Sequence, residues 1–201
     1  FDKTAVDFLE TLNIHAYKIA SFEITDIPLI EYVASKGKPI ILSTGIAELS
    51  DIELALEACR RMGNNDIALL KCTSSYPAPI EEANMCMVRD LSERFGVISG
   101  LSDHTMGIGA AVAAVALGAK VIEKHFTLDK AMDGPDHKAS LEPAELQAMV
   151  KAIRNIELAI SGSGEKEVSE SEMKNIIVAR KSIHLNNAMK AGQQIQKKDL
   201  V

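Results

Sequence analysis

Five short apolar runs alternate along this chain with longer segments of helical period. The runs are "AYKIAS", "PIILST", "IALLKCTSS", "VISGLSDH" and "KVIEKHFT". Among the helical segments are "DIPLIEYVASKG", "LSDIELALEACRRMG" and "LEPAELQAMVKAIRNIELAIS", and an alanine-rich, glycine-started helix lies between the last two runs. In the second of these helices Ser50 reads as an N-cap with Glu53 as its capping-box partner, and Gly63 as the left-handed stop. Strand followed by helix, repeated, predicts an α/β fold with a parallel sheet, because parallel neighbours need a crossover.

Every predicted strand ends in polar residues, where α/β folds carry their sites. His104 and His125 follow two successive strands and lie 21 residues apart, one βα unit, so both imidazoles are able to converge on one point. Neutral imidazoles around an open cavity suit Zn, Mn, Fe, Co or Ni. The alternative is that each histidine merely hydrogen-bonds a neighbouring loop. Strand alternation puts Glu123 with His125, Ser102 with His104, and Ser21 with Glu23 on shared faces. A salt bridge to a nearby lysine is the other reading of Glu123, and Lys18 falls on the opposite parity from Glu23 unless the strand bulges.

Composition narrows the class. The chain has 201 residues, 47% hydrophobic and 25% charged, enough for a sizeable core and typical of a soluble globular protein. A net charge of −6 offers no basic footprint for nucleic acid or an anionic membrane. No run approaches the roughly 18 apolar residues of a membrane span and no leader pattern opens the sequence, so the cytoplasm is the expected compartment. Cys59, Cys72 and Cys86 lack C-x-x-C spacing and read as buried free thiols.

Six motifs, in order, carry a resemblance: "YKIASFE", "ILSTG", "KCTSSYPAP", "GLSDHT", "VIEKHFTLD" and "GPDHKASLEP". Together they resemble the sialic acid synthase family, the N-acetylneuraminate, legionaminate and pseudaminate synthases. The resemblance implies a (β/α)8 TIM barrel that condenses phosphoenolpyruvate with an N-acetylated amino-sugar aldehyde, giving a nine-carbon 2-keto acid and phosphate. The sugar is N-acetylmannosamine or a 2,4-diacetamido-trideoxyhexose. His104 and His125 match the family's ligands for a divalent metal, Mn²⁺ or else Mg²⁺ or Co²⁺. Glu23 matches a catalytic acid/base, with Glu123 assisting. Lys18, Ser21, Ser43 and Ser102 match phosphoenolpyruvate contacts, and Asp136 and Tyr76 match the sugar pocket.

The match begins after the family's third strand, so residues 1–161 are expected to form the C-terminal five βα units of the barrel. Residues 162–178 read as a Gly/Ser-rich, charged linker, and 179–201 resemble the start of the small antifreeze-like (SAF) domain. A polypeptide of these residues alone is expected to be catalytically incomplete. In the family the second domain lies over the partner's site in a homodimer. Two other functions fit the residues: a different metal-dependent (β/α)-barrel aldolase, or a non-catalytic binding or dimerisation module.

Overall fold

The computed structural model describes residues 2–201. All five apolar runs form strands: β1 (Tyr17–Ile19), β2 (Ile40–Ser43), β3 (Ile67–Cys72), β4 (Ile98–Asp103) and β5 (Val121–Lys124). They make one parallel sheet in sequential order. Helix α1 (Lys3–Thr11) precedes β1, and α2 (Ile27–Ala34), α3 (Leu49–Arg61), α4 (Met87–Phe95) and α5 (Gly109–Ala116) are the crossovers. Helix α6 (Pro143–Ala159) follows β5. Two compact units divide after Ser161.

Register fixes the two faces of the sheet. Tyr17, Ile19, Ile40, Leu42, Ile67 and Leu69 face the helices and pack with Leu29, Val33, Ile52 and Leu56. Each such buried aliphatic contributes about 1.5–3 kcal/mol relative to exposure. The cross-strand partners Cys72, Ser102 and Glu123 occupy the other face, as do Lys18 and Ser43. That face is concave. Lys18 Nζ on β1 and Glu123 Oε2 on β5 lie 3.5 Å apart although their strands are opposite edges of the sheet. A flat sheet would separate those edges by about 19 Å, more than the two side chains span. The five strands therefore curl into half a barrel.

Gly100, on the concave face, permits a close approach of β4 and β5 in this curl. A Cβ there would lie 2.2 Å from the Val121 carbonyl oxygen and 2.6 Å from Leu70 Cδ2. Backbone cannot swing aside as a side chain can. Gly100→Ala is expected to destabilise the fold by about 2–3 kcal/mol through forced separation of β4 and β5, measured as a fall in the thermal unfolding midpoint.

Several sequence expectations change. Helix α3 starts earlier than its Ser50 cap predicted: Glu48 is the N-cap and its N–H donates to Asp51 Oδ2 at 2.9 Å, whereas Gly63 does take the left-handed conformation. Cys59 and Cys72 are buried as free thiols, but Cys86 is exposed. Helix α7 (Glu170–Ala179) begins within the stretch read as a linker and ends one residue beyond it, and Ser169 and Glu172 begin it with a capping box. In that second unit His184 and Val201 exchange backbone hydrogen bonds, and His184 is exposed. No helix among the described residues is long and apolar enough to cross a membrane.

Candidate active site

Both histidines sit just past their strands, and each is held by a returning loop. The His104 carbonyl accepts the Ala78 N–H, bringing back the loop that bears Tyr76, and the His125 carbonyl accepts the Leu141 N–H, bringing back the loop that bears Asp136. The result is a cluster. The imidazole centres of His104 and His125 are 5.2 Å apart and nearly perpendicular, and the Tyr76 ring lies 4.2 Å from the first and 5.5 Å from the second. Asp136 Oδ2 is 3.8 Å from His125 Nδ1.

His104 does hydrogen-bond a loop, but with one nitrogen only. Its Nδ1 lies 2.8 Å from the Thr73 carbonyl oxygen. A carbonyl only accepts, so in the neutral ring Nδ1 carries the proton and Nε2 presents its lone pair. Metal-binding histidines are oriented in this way. Lys71 Nζ, buried on the helix-facing side, contacts Thr73 Oγ1, and burial lowers the Lys71 pKa.

The spacing also fits an ion. An ion about 2.1 Å from each nitrogen stands about 3.2 Å from each ring centre, so two rings ligating it at about the tetrahedral angle have centres about 5 Å apart. Among the described residues no group of three or more His, Cys, Asp or Glu side chains could hold a metal. The remaining coordination positions would fall to water or substrate oxygens, as in catalytic rather than structural sites.

Behind the imidazoles runs a polar row on the same concave face. Ser102 Oγ donates to Glu123 Oε1 at 2.6 Å, and Glu123 Oε2 faces Lys18. Glu123 is thus both a lysine partner and a member of the site. Ser43 is buried on this face, and its hydroxyl has no hydrogen-bond partner among the described residues. Such a group is rare in a native structure and points to a ligand. Ser21 Oγ accepts the Gly45 N–H at 3.1 Å. A Cβ at Gly45 would lie 2.1 Å from Ser74 Oγ and 2.8 Å from Ser21 Oγ, so glycine lets these hydroxyls converge.

The expected pairing of Ser21 with Glu23 fails. β1 stops at Ile19, and residues 21–23 form a 3-10 turn in which side chains two apart no longer share a face. Glu23 Oε2 instead accepts the Ala20 N–H at 2.8 Å. The side of Lys18, which parity left open, is the concave one.

The matching sequence model decides the family: the NeuB family model covers residues 1–166. The chain belongs to the NeuB family. It is 49% identical over 195 residues to the N,N'-diacetyllegionaminic acid synthase of Campylobacter jejuni, covering 96% of this chain and 58% of that protein. With the pseudaminic acid synthase of Helicobacter pylori it shares 48% identity over 167 residues, 83% of this chain and 48% of that one. The solved N-acetylneuraminic acid (sialic acid) synthetase of Leptospira borgpetersenii superposes with a TM-score of 0.80 at 35% identity, covering 89% of this chain and 62% of that structure. This NeuB-family chain spans about half the length of the curated relatives it matches.

One residue beside the imidazoles escaped sequence reasoning. Cys72 was read only as a buried thiol, yet its Sγ lies 3.8 Å from His104 Nδ1 and 3.8 Å from Ser74 Oγ. Burial raises the Cys72 pKa, but hydrogen bonds from His104, Ser21 and Ser74 outweigh it and bring the thiol down to about 7. Burial also opposes the charged form of His104, but the contacts with Cys72 and the Thr73 carbonyl and the charge of Glu123 together outweigh it and raise that imidazole's pKa. The available signal was register: Cys72 pairs with Ser102, which pairs with Glu123.

Proposed function

We propose that the full-length protein condenses phosphoenolpyruvate with an N-acetylated amino-sugar aldehyde, N-acetylmannosamine or a 2,4-diacetamido-trideoxyhexose, to give a nine-carbon 2-keto acid and inorganic phosphate. The observation that carries this reading is the pair His104 and His125, with the lone pair of His104 on Nε2, set beside the row Ser102, Glu123 and Lys18. Five βα units are then the C-terminal part of a (β/α)8 barrel, and residues 179–201 begin an antifreeze-like domain that completes the site across a cytoplasmic homodimer.

His104 and His125 would hold a divalent cation, most suitably Mn²⁺, which supplies Lewis-acid polarisation of the sugar aldehyde. Lys18 places a positive charge on the anionic groups of phosphoenolpyruvate, and Ser21, Ser43 and Ser102 offer hydroxyls to its oxygens. C3 of phosphoenolpyruvate forms the new bond to the aldehyde carbon, whose oxygen takes up a proton and becomes a hydroxyl. Water adds at C2 and gives its proton to a carboxylate, Glu23 or Glu123. The hemiketal phosphate then breaks the bond from C2 to the phosphate oxygen, phosphate leaves with that bonding pair and takes up the proton of the C2 hydroxyl, and the keto group forms. Asp136 and Tyr76, which lie beside the imidazoles, would contact sugar hydroxyls.

The test supplies the full-length protein with phosphoenolpyruvate, Mn²⁺ and a panel of these sugars, following phosphate and identifying the acid by mass. Phosphate release that requires phosphoenolpyruvate, sugar and metal together is expected. Release without any sugar, or no keto acid from any of the panel, contradicts the proposal.

Ser43 provides an independent check, because its two expected effects have opposite signs. Ser43→Ala removes a buried hydroxyl that has no partner among the described residues, so stability should hold or rise by about 1 kcal/mol. The same change should raise KM for phosphoenolpyruvate about tenfold, one lost hydrogen bond to a charged group. Thermal unfolding and steady-state kinetics read the two effects separately.

A further inference from the structure

On the opposite side of the sheet from the polar row, a closed ring of hydrogen bonds ties the two histidine-bearing strand ends together. Asp103 and Lys124 are direct register partners, and each immediately precedes a site histidine. Lys124 Nζ donates to Asp103 Oδ2 at 2.8 Å and to the Thr105 carbonyl at 2.6 Å. Asp103 Oδ1 accepts from both the N–H and the hydroxyl of Thr105, each at 2.8 Å. The two charged side chains are only 2% and 1% exposed.

We propose that Asp103, Lys124 and Thr105 form a positioning clamp that fixes the separation and aim of His104 and His125. This inference rests on the reading of those histidines as ligands of a divalent ion. The backbone on both sides of His104 is held: Asp103 precedes it in the ladder, and the N–H and C=O of Thr105 are both bound within the ring. Lys124 belongs to both ends, since it bonds Asp103 and Thr105 while standing next to His125.

Stability alone does not explain the charges. A buried ion pair usually stabilises a fold no better than an apolar pair of the same shape, because desolvation offsets the attraction. Apolar residues would fill the space equally well. They would not aim the Thr105 backbone, and an ion shared by two imidazoles tolerates ligand displacements of only about 0.2 Å. Directional bonds at this position meet that tolerance where packing does not. Asp103 and Lys124 are thus positioning residues rather than catalytic ones.

The experiment measures the Mn²⁺ dissociation constant of the full-length protein by electron paramagnetic resonance of free Mn²⁺, together with thermal unfolding of the metal-free form. The double variant Asp103→Asn/Lys124→Met replaces the ion pair with a neutral pair of similar shape. It is expected to keep its metal-free unfolding midpoint within a few degrees and to bind Mn²⁺ about 10- to 100-fold more weakly, the usual effect of losing the groups that orient metal ligands. Lys124→Arg, which keeps the charge and the donors, should recover most of that affinity. If the double variant does not fold, Thr105→Val carries the test, since it deletes one bond of the ring and keeps the ion pair; a several-fold loss is expected. A folded variant with wild-type Mn²⁺ affinity overturns the clamp. A wild-type protein that binds no Mn²⁺ overturns the metal reading and the clamp with it.

Discussion

His104→Ala is expected to abolish tight Mn²⁺ binding and to lower kcat/KM for the condensation by at least about 10³-fold, or about 4 kcal/mol of transition-state stabilisation. The size follows from the work required. C3 of phosphoenolpyruvate is a weak nucleophile, and an unpolarised sugar aldehyde is a weak electrophile. The two-histidine arrangement leaves no substitute ligand, since the described residues contain no third His, Cys, Asp or Glu grouped with them to hold an ion. His125→Ala should behave alike, whereas a fold effect should be small because both rings lie beyond their strands. Metal titration and phosphate release on the purified variants check the two halves separately. Undiminished turnover of His104→Ala in excess chelator would remove the metal from the mechanism.

Glu123→Gln is expected to reduce kcat by about 10²- to 10⁴-fold while Mn²⁺ affinity stays within a few-fold of wild type. The amide oxygen still accepts from Ser102, so the side chain keeps its place. What is lost is the proton acceptor, along with the negative charge opposite Lys18. Glu23→Gln is the paired measurement. Its amide oxygen retains the bond to the Ala20 N–H, so the 3-10 turn should persist. A rate loss of similar size at Glu23, with normal turnover at Glu123→Gln, would assign the proton to Glu23 instead. Loss of metal together with rate in either variant would make that carboxylate a ligand.

The parallel sheet was legible because each strand is an apolar run ending in polar residues, and alternation placed Ser102 and Glu123 correctly where strands continue far enough to obey it. Alternation misled at Ser21 and Glu23 because β1 is only three residues long and gives way to a 3-10 turn. The curl that carries Lys18 across to Glu123 depends on interstrand geometry, and no single strand's pattern contains it. Asp103 and Lys124 had a faint signal. Each is a charged residue on the face that Leu101 and Ile122 mark as buried, and the two charges are opposite. Cys72 and Ser74 became visible only when neighbouring strands were placed in register, since a lone cysteine in an apolar run reads as core. Helix α7 was missed because glycine, serine and charge around it read as linker, while its capping residues Ser169 and Glu172 were in plain view.

The two imidazoles are the centre of the account, and anomalous diffraction at the manganese edge tests them most directly. Crystals of the full-length protein grown with Mn²⁺ and phosphoenolpyruvate are expected to show one strong anomalous peak between the rings, about 2.1–2.3 Å from His104 Nε2 and from one nitrogen of His125. The peak should vanish in crystals of His104→Ala. An ordered site with both histidines in place and no peak between them, or a peak held by other residues, would contradict the account.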